Sequence, residues 1–357
     1  MALGAISCRV SGRSSQRHFV FAKSLAYYEA SRPYLRRVVF GLAICCRRIR
    51  TFQGTITYGN HHPSLRSVTN GTSHSPFAPS GSLLTINMIL SFTTIPPRFQ
   101  YLERVISRIA DQTERPDRVE LYLPNTYRRF PGERPSLPSL PKWVDVIETP
   151  DDLGPATKIL PAAERWRGHD VSILYFDDDQ KYDKHWLARF NAMRLQRPKE
   201  ALCERGFHLE EISDVKRYDA PSPRAYRLPR DGKDRRYRLK RACSLWMYKP
   251  LRHGFSNSGY IDIAEGNGGV SVKPECFDRG AWEIPDILWT VDDVWLSGMM
   301  ERSGVKIWLN QGGYIQNAFQ QASKLRPLYE YASNGVNRHD ANQMCVDYLR
   351  GNYGIWR

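Results

Sequence analysis

A continuous β-prone run at 171–176, Val-Ser-Ile-Leu-Tyr-Phe, leads without a break into Asp177-Asp178-Asp179. A strand with no polar alternation is covered on both faces, so this one belongs in the middle of a sheet. Three adjacent carboxylates repel one another and cost stability unless solvent or a cation neutralises them. In open α/β sheets, ligands bind beyond the carboxyl ends of the strands. This one junction therefore constrains both the fold class and the place where chemistry is expected.

The surrounding pattern agrees. Residues 88–93 (Met-Ile-Leu-Ser-Phe-Thr) read as a strand ended by Pro96-Pro97. Residues 98–112 carry Phe99, Leu102, Ile106 and Ile109 at helical spacing. Strands are predicted at 118–123 and 144–148, with helices at 154–166 and 183–195. Strand–helix alternation of this kind means βαβ units and a mainly parallel α/β sheet flanked by helices. Further on, regular structure is expected to resume at 245–248. Strands at 260–263 and 270–273 flank Glu265-Gly266-Asn267-Gly268-Gly269, whose glycines imply a tight turn or close approach to a ligand. A helix at 292–303, a strand at 306–309 and a C-terminal helix at 340–349 complete the reading. No internal repeat is visible.

Charge divides the chain unevenly. The net charge is +15, yet residues 1–87 hold eleven Lys/Arg and one acid, so they alone contribute +10. Residues 1–87 are also Ser-rich and lack helical or strand periodicity. Three readings stand: an extension upstream of a true initiator at Met88, a disordered basic tail, or an Arg-rich targeting segment. The body from 88 is only mildly basic, which weakens a nucleic-acid reading. Within it, 213–241 holds eleven Lys/Arg, four Asp and three prolines, and is expected to be a long, solvated basic loop insertion. The longest apolar run, 38–46, is too short to span a bilayer and is flanked by arginines. Seven cysteines without a CxxC pair argue against a disulfide framework or zinc finger and for a reducing compartment.

Three constellations carry candidate chemistry. Hard oxygen donors at Asp177, Asp178 and Asp179 suit Mg²⁺ or Mn²⁺, with a substrate diphosphate completing the shell. The bland alternative is an acidic helix start. The second is Asp151-Asp152-Leu153-Gly154-Pro155-Ala156-Thr157-Lys158, where a helix N-terminus plus lysine can hold phosphate, unless Lys158 is an ordinary surface residue. The third is Asp292-Asp293, two carboxylates opening a helix. One of them can serve as a general base, and both can equally be helix caps.

In this order the motifs resemble a GT-A glycosyltransferase, similar to bacterial family-2-like members acting on nucleotide sugars. The segments that carry the likeness are 90–98, 152–158, 175–179, 265–269 and 292–294, covering most of 88–325. The acidic triplet matches the DxD motif, and Asp292-Asp293 matches a late acidic pair that is often Glu-Asp. The resemblance implies that Thr93, Thr94 and Arg98 line a nucleotide pocket together with Lys158, Asp177 and Asp178. It implies Asp177 and Asp179 as metal ligands, Gly268 and Gly269 near the transferred sugar or acceptor, and Asp293 or else Asp292 as base. A QxxRW acceptor motif and membrane helices are missing, which favours a non-processive enzyme over a processive synthase. The implied function is metal-dependent, inverting transfer of a sugar from a nucleotide-diphosphate donor to a glycan, lipid-linked or protein hydroxyl, in cell-surface polysaccharide synthesis. The implied location is cytoplasmic, with peripheral contact at the inner membrane face left open. No nucleic acid is expected as a partner. The C-terminal 326–357, a helical and aromatic tail, lies outside the family pattern. A haloacid-dehalogenase-type phosphatase, whose Asp-x-Asp also follows an apolar strand, and a basic nucleic-acid-binding protein are the alternatives.

Overall fold

In the computed structural model, which describes residues 87–133, 135–328, 336 and 338–357, the apolar runs become the centre of one eight-stranded sheet. The expectation for residues 1–87 lies outside the described residues, apart from Asn87. The strands are β1 (Met88–Thr93), β2 (Arg118–Pro124), β3 (Val144–Thr149), β4 (Ser172–Phe176), β5 (Gln180–Lys181), β6 (Ala201–Cys203), β7 (Gly206–Phe207), β8 (Gly259–Ile261), β9 (Ile263–Ala264), β10 (Val270–Val272), β11 (Ile307–Leu309) and β12 (Asn317–Ala318). The sheet order is β3-β2-β1-β4-β10-β6-β11-β8, while β12–β5 and β7–β9 form two small ladders. The half made by β3, β2, β1 and β4 is wholly parallel. Beyond β4 the sheet is mixed, because β10 runs antiparallel to both β4 and β6. The expected α/β architecture, a large and mainly parallel sheet flanked by helices, is what the chain adopts.

Every residue of β4 is buried, as a central strand requires. Its side chains alternate between the two faces: Ile173 and Tyr175 join one core cluster, Leu174 and Phe176 the other. The helices are α1 (Leu102–Ala110), α2 (Leu160–Arg165), α3 (Trp186–Gln196), α4 (Arg235–Cys243), α5 (Asp292–Arg302), α6 (Gln320–Ser323) and α7 (Arg338–Tyr353). On α1, Leu102, Val105, Ile106 and Ile109 are buried, so the apolar spacing there is its packing face. The C-terminal helix is integral to the core. Leu349 packs so closely on Gly298 of α5 that a Cβ there would overlap its methyl group, and Trp356 is fully buried.

Three local expectations are corrected. The helix read at 154–166 is split into a 3-10 turn, Gly154–Lys158, and the short α2, because Pro155 and Pro161 each restart the chain. Residues 245–248 are no regular element but an exposed turn, with Leu245 at φ 50° and Trp246 at φ 65°. Residues 213–241 are not uniformly solvated. Arg217 is buried, and α4 folds within the segment. Among the described residues, no helix is long and apolar enough to cross a membrane.

Candidate active site

The chain leaves β4 at Asp177 and immediately lines a cavity of about 530 Å³. Nine of the residues singled out in the sequence meet there: Thr93 at the end of β1, Thr94 and Arg98 after it, Lys158 before α2, Asp177, Asp178 and Asp179 after β4, and Asp292 and Asp293 on α5. Parallel β1 and β4 end side by side, so their following loops share one rim.

Lys158 is the hub. Ser91 of β1 donates its hydroxyl to the Lys158 carbonyl at 2.6 Å, which pins the 3-10 turn against the sheet. The ammonium then reaches Asp177 Oδ1 at 2.6 Å and Asp292 Oδ2 at 2.8 Å. Its side chain is only 4% exposed. Burial would drive the Lys158 pKa down, but Asp177, Asp292 and Asp293 outweigh that and raise it well above the usual lysine range. Lys158 is thus a permanent cation that ties the acidic triplet to the acidic couple. Burial opposes ionisation of Asp177 too, but the Lys158 charge and hydrogen bond overcome it and lower its pKa.

The rest of the triplet is held from β1. Arg98 donates to Asp178 Oδ1 at 2.7 Å and lies 3.3 Å from Asp179 Oδ2. Thr94 donates its hydroxyl to Asp178 Oδ2 at 2.5 Å. Asp179 accepts from the Gln180 side chain at 2.7 Å. That is not enough compensation: burial, then Asp178 and Asp177, push the Asp179 pKa up to about 6.

On the opposite wall, Asp292 is tied up by Lys158, whereas Asp293 accepts a hydrogen bond from the Gly266 backbone N–H at 2.9 Å. Arg338 of α7 lies 3.6 Å from its other oxygen. Burial and the adjacent Asp292 raise the Asp293 pKa to about 7. A carboxyl poised there can accept a proton near neutrality.

The glycine turn behaves differently from expectation. Gly268 and Gly269 do not line the cavity. Gly268 accepts from the Trp186 indole at 2.9 Å, and Gly269, at φ 87°, packs against that ring. The glycine that the site requires is Gly266, where a Cβ would run into the Lys158 ammonium and lie 3.1 Å from Asp177 Oδ1. Glu265 and Asn267 beside it do face the cavity, and Asn267 Oδ1 is buried without a hydrogen bond among the described residues. Two more lining residues, Arg338 and Asn342, come from α7. Their i, i+4 spacing places them on one helix face, a signal too common to single them out. Trp289 closes another side: its indole donates to the Asp152 carbonyl at 3.0 Å, and it packs against Gly154, which holds φ 61°.

Charge decides what the cavity can accept. Seven carboxylates line it (Asp152, Asp177, Asp178, Asp179, Glu265, Asp292, Asp293) against five cationic side chains (Arg98, Arg129, Lys158, Arg326, Arg338). The surplus of hard oxygen donors fits a divalent cation. Among the described residues, the one set of His, Cys, Asp and Glu donors converging within 4.8 Å lies elsewhere, at His208, Glu210 and Asp262. There Asp262 already accepts from Arg217 at 2.8 Å and Arg224 at 2.6 Å, so two guanidiniums occupy the electrostatic place of a metal.

No protein-family model and no curated protein matches the sequence. Among solved structures, a crystal structure of GalNAc-T7 with UDP, GalNAc and Mn²⁺ aligns with a TM-score of 0.38 at 10% identity, over 65% of this chain and 44% of that one. The chain therefore spans less than half the length of that protein.

Proposed function

We propose that the protein is a GT-A-type glycosyltransferase that moves a sugar from a nucleoside-diphosphate donor to a hydroxyl acceptor, singly and with inversion at the anomeric carbon. The observation that carries this reading is the buried Lys158 bridge, 2.6 Å to Asp177 and 2.8 Å to Asp292, which places an acidic triplet and an acidic couple in one cavity at the strand ends. Separate acidic groups fit the two tasks of such a transfer: holding the divalent cation that neutralises a polyphosphate leaving group, and deprotonating an acceptor.

In this reading Asp293 is the base. Its couple partner Asp292 is committed to Lys158, while Asp293 has a proton affinity near neutrality. The acceptor proton passes to the Asp293 carboxylate as the acceptor oxygen bonds to the anomeric carbon. The bond from that carbon to the phosphate oxygen breaks, and the nucleoside diphosphate leaves with the electron pair. Arg98 and Lys158 supply fixed positive charge on the donor side. Asp177 and Asp179 would hold a divalent cation, Mn²⁺ or Mg²⁺, whose chemistry is to offset charge on the departing diphosphate. Thr93 and Thr94 line the nucleotide side, and the acceptor is a glycan, lipid-linked or protein hydroxyl. A bacterial family-2-like relationship and a role in polysaccharide biosynthesis belong to the same reading.

The test is a panel of nucleotide sugars with Mn²⁺, read by thermal stabilisation and then by transfer. One donor is expected to raise the unfolding temperature in a metal-dependent way. Asp179→Ala is expected to abolish metal-dependent transfer with the fold intact. Transfer at the parental rate by this variant would remove the assignment.

A further inference from the structure

Away from the cavity, the basic segment contains a surface that the transfer chemistry does not use. Between residues 230 and 252 there are nine Lys/Arg and two Asp. Among the described residues, thirteen large apolar side chains are exposed, and six of them fall between 239 and 251: Leu239, Leu245, Trp246, Met247, Tyr248 and Leu251. Single exposed apolar residues need no explanation, but a cluster does.

The cluster is built by the fold. Asp234 caps α4 by accepting from the Tyr237 backbone at 2.7 Å, and Tyr237 is the helix's one buried residue. After α4 the chain rolls into a hydrogen-bonded turn, with Trp246 N–H donating to the Arg241 carbonyl at 2.9 Å and Met247 N–H to the Ser244 carbonyl at 3.0 Å. Two successive side-chain-bearing residues, Leu245 and Trp246, take left-handed backbone angles there. That strained tip holds Leu245 at 80% and Met247 at 88% exposure. The Arg241 guanidinium sits 4.7 Å over the Trp246 ring. Alongside α4 lies a hollow of about 750 Å³ whose walls include Arg230, Lys233, Arg235, Arg236 and Lys240.

We propose that α4 and the 245–248 tip form a peripheral docking surface for an anionic phospholipid bilayer. A Trp, a Tyr and aliphatic side chains at a tip that follows a helix rich in Lys and Arg match the apolar boundary and the anionic headgroups of such a surface together. The aliphatic residues favour a bilayer over single-stranded nucleic acid, whose recognition rests on charge and ring stacking. The helix itself is strongly polar, so it supplies charge, and the tip supplies insertion. This inference stands whether or not the transfer reaction is correct.

The test is co-sedimentation of the full chain with vesicles of phosphatidylcholine, with and without about 30 mol% phosphatidylserine, at low and high salt. The basic residues 1–87 are present in every sample, so the comparison is between variants. Trp246→Ser with Met247→Ser is expected to lower partitioning onto the anionic vesicles about tenfold. Arg235→Gln with Arg236→Gln and Arg238→Gln is expected to lower it as much and to flatten its salt dependence. All these side chains are exposed, and unchanged near-ultraviolet circular dichroism of the arginine variant checks the fold. Parental partitioning by both variants would overturn the proposal. So would binding to single-stranded RNA that is weakened by these substitutions when vesicle binding is absent.

Discussion

Two of the buried charge clusters among the described residues resolve their electrostatics in opposite ways. Around Asp262, acids and bases balance. Its carboxylate is buried and accepts from Arg217, Arg224 and the Leu209 backbone, while Arg217 goes on to Asp219 and Glu301. Burial alone would raise the Asp262 pKa, but the Arg224 and His208 hydrogen bonds and the guanidinium charges hold it well below the carboxylate range. Around Lys158, acids outnumber bases, and two carboxyls are pushed upward, Asp179 to about 6 and Asp293 to about 7. The first cluster is satisfied and lines neither cavity. The second is unsatisfied and opens onto the cavity of about 530 Å³ at the strand ends. Burial and charge are common to both, so neither marks a site. What separates them is the charge left over, which a bound cation can neutralise.

The sharpest way to break this comparison is to remove the carboxylate charge from each cluster in turn. Asp293→Asn removes the proposed base and is expected to lower turnover about 10²–10⁴-fold, with donor affinity nearly unchanged. Transfer kinetics against donor titration would show it, and a retained rate would move the base elsewhere. The second effect is structural. Asp262→Ala leaves Arg217 buried with one partner fewer and is expected to cost about 3–5 kcal/mol of stability in chemical denaturation. Turnover per folded molecule should stay at the parental level. A loss of turnover larger than the loss of folded protein would make the Asp262 cluster part of the site. A third probe sharpens the middle ground. If Asp293 must be ionised to act, turnover is expected to rise with pH through about 7 and then level off.

How much of this was legible beforehand follows the same division. Asp177, Asp178 and Asp179 were readable because an apolar strand must end somewhere, and local sequence carries both the strand and its end. Asp292-Asp293 and Lys158 were readable as motifs, but the bridge joining them was not, since its ends lie in segments more than a hundred residues apart. Arg338 was invisible for the same reason, as α7 delivers it from near the C-terminus. The glycine turn was legible as a turn, but not which of its glycines approaches Lys158. Gly268 and Gly269 serve the Trp186 ring, while Gly266 faces Lys158, a distinction that depends on three-dimensional approach. In 213–241, composition suggested solvation because the partner of Arg217 and Arg224 is Asp262, some forty residues further on. At 245–248, apolar character suggested regular structure, whereas the side chains are held outward by the backbone.

The smallest expected effect is the most discriminating, because it concerns sign. A carboxyl with a raised folded-state pKa favours the fold when protonated. An unfolded Asp ionises near 3.9, so between about pH 4 and 7 the unfolded chain releases a proton that folded Asp293 keeps. Stability therefore falls across that window and levels off above it. Asn cannot ionise, so Asp293→Asn is expected to match the parent near pH 4 and to exceed it by about 1–2 kcal/mol at pH 8, a discounted share of the full linkage for a group 17% exposed. Asp262 has the reverse sign. Its depressed pKa gives stability that is complete above about pH 4 and is lost as the pH falls toward the folded value, so Asp262→Asn is expected to trail the parent at pH 8 and to approach it in acid. Denaturation midpoints of the two Asn variants across pH should thus diverge from the parent in opposite directions as pH rises. Curves that diverge in the same direction would mean that the Lys158 cavity is as well compensated as the Asp262 cluster, and it would then have no surplus for a ligand to relieve.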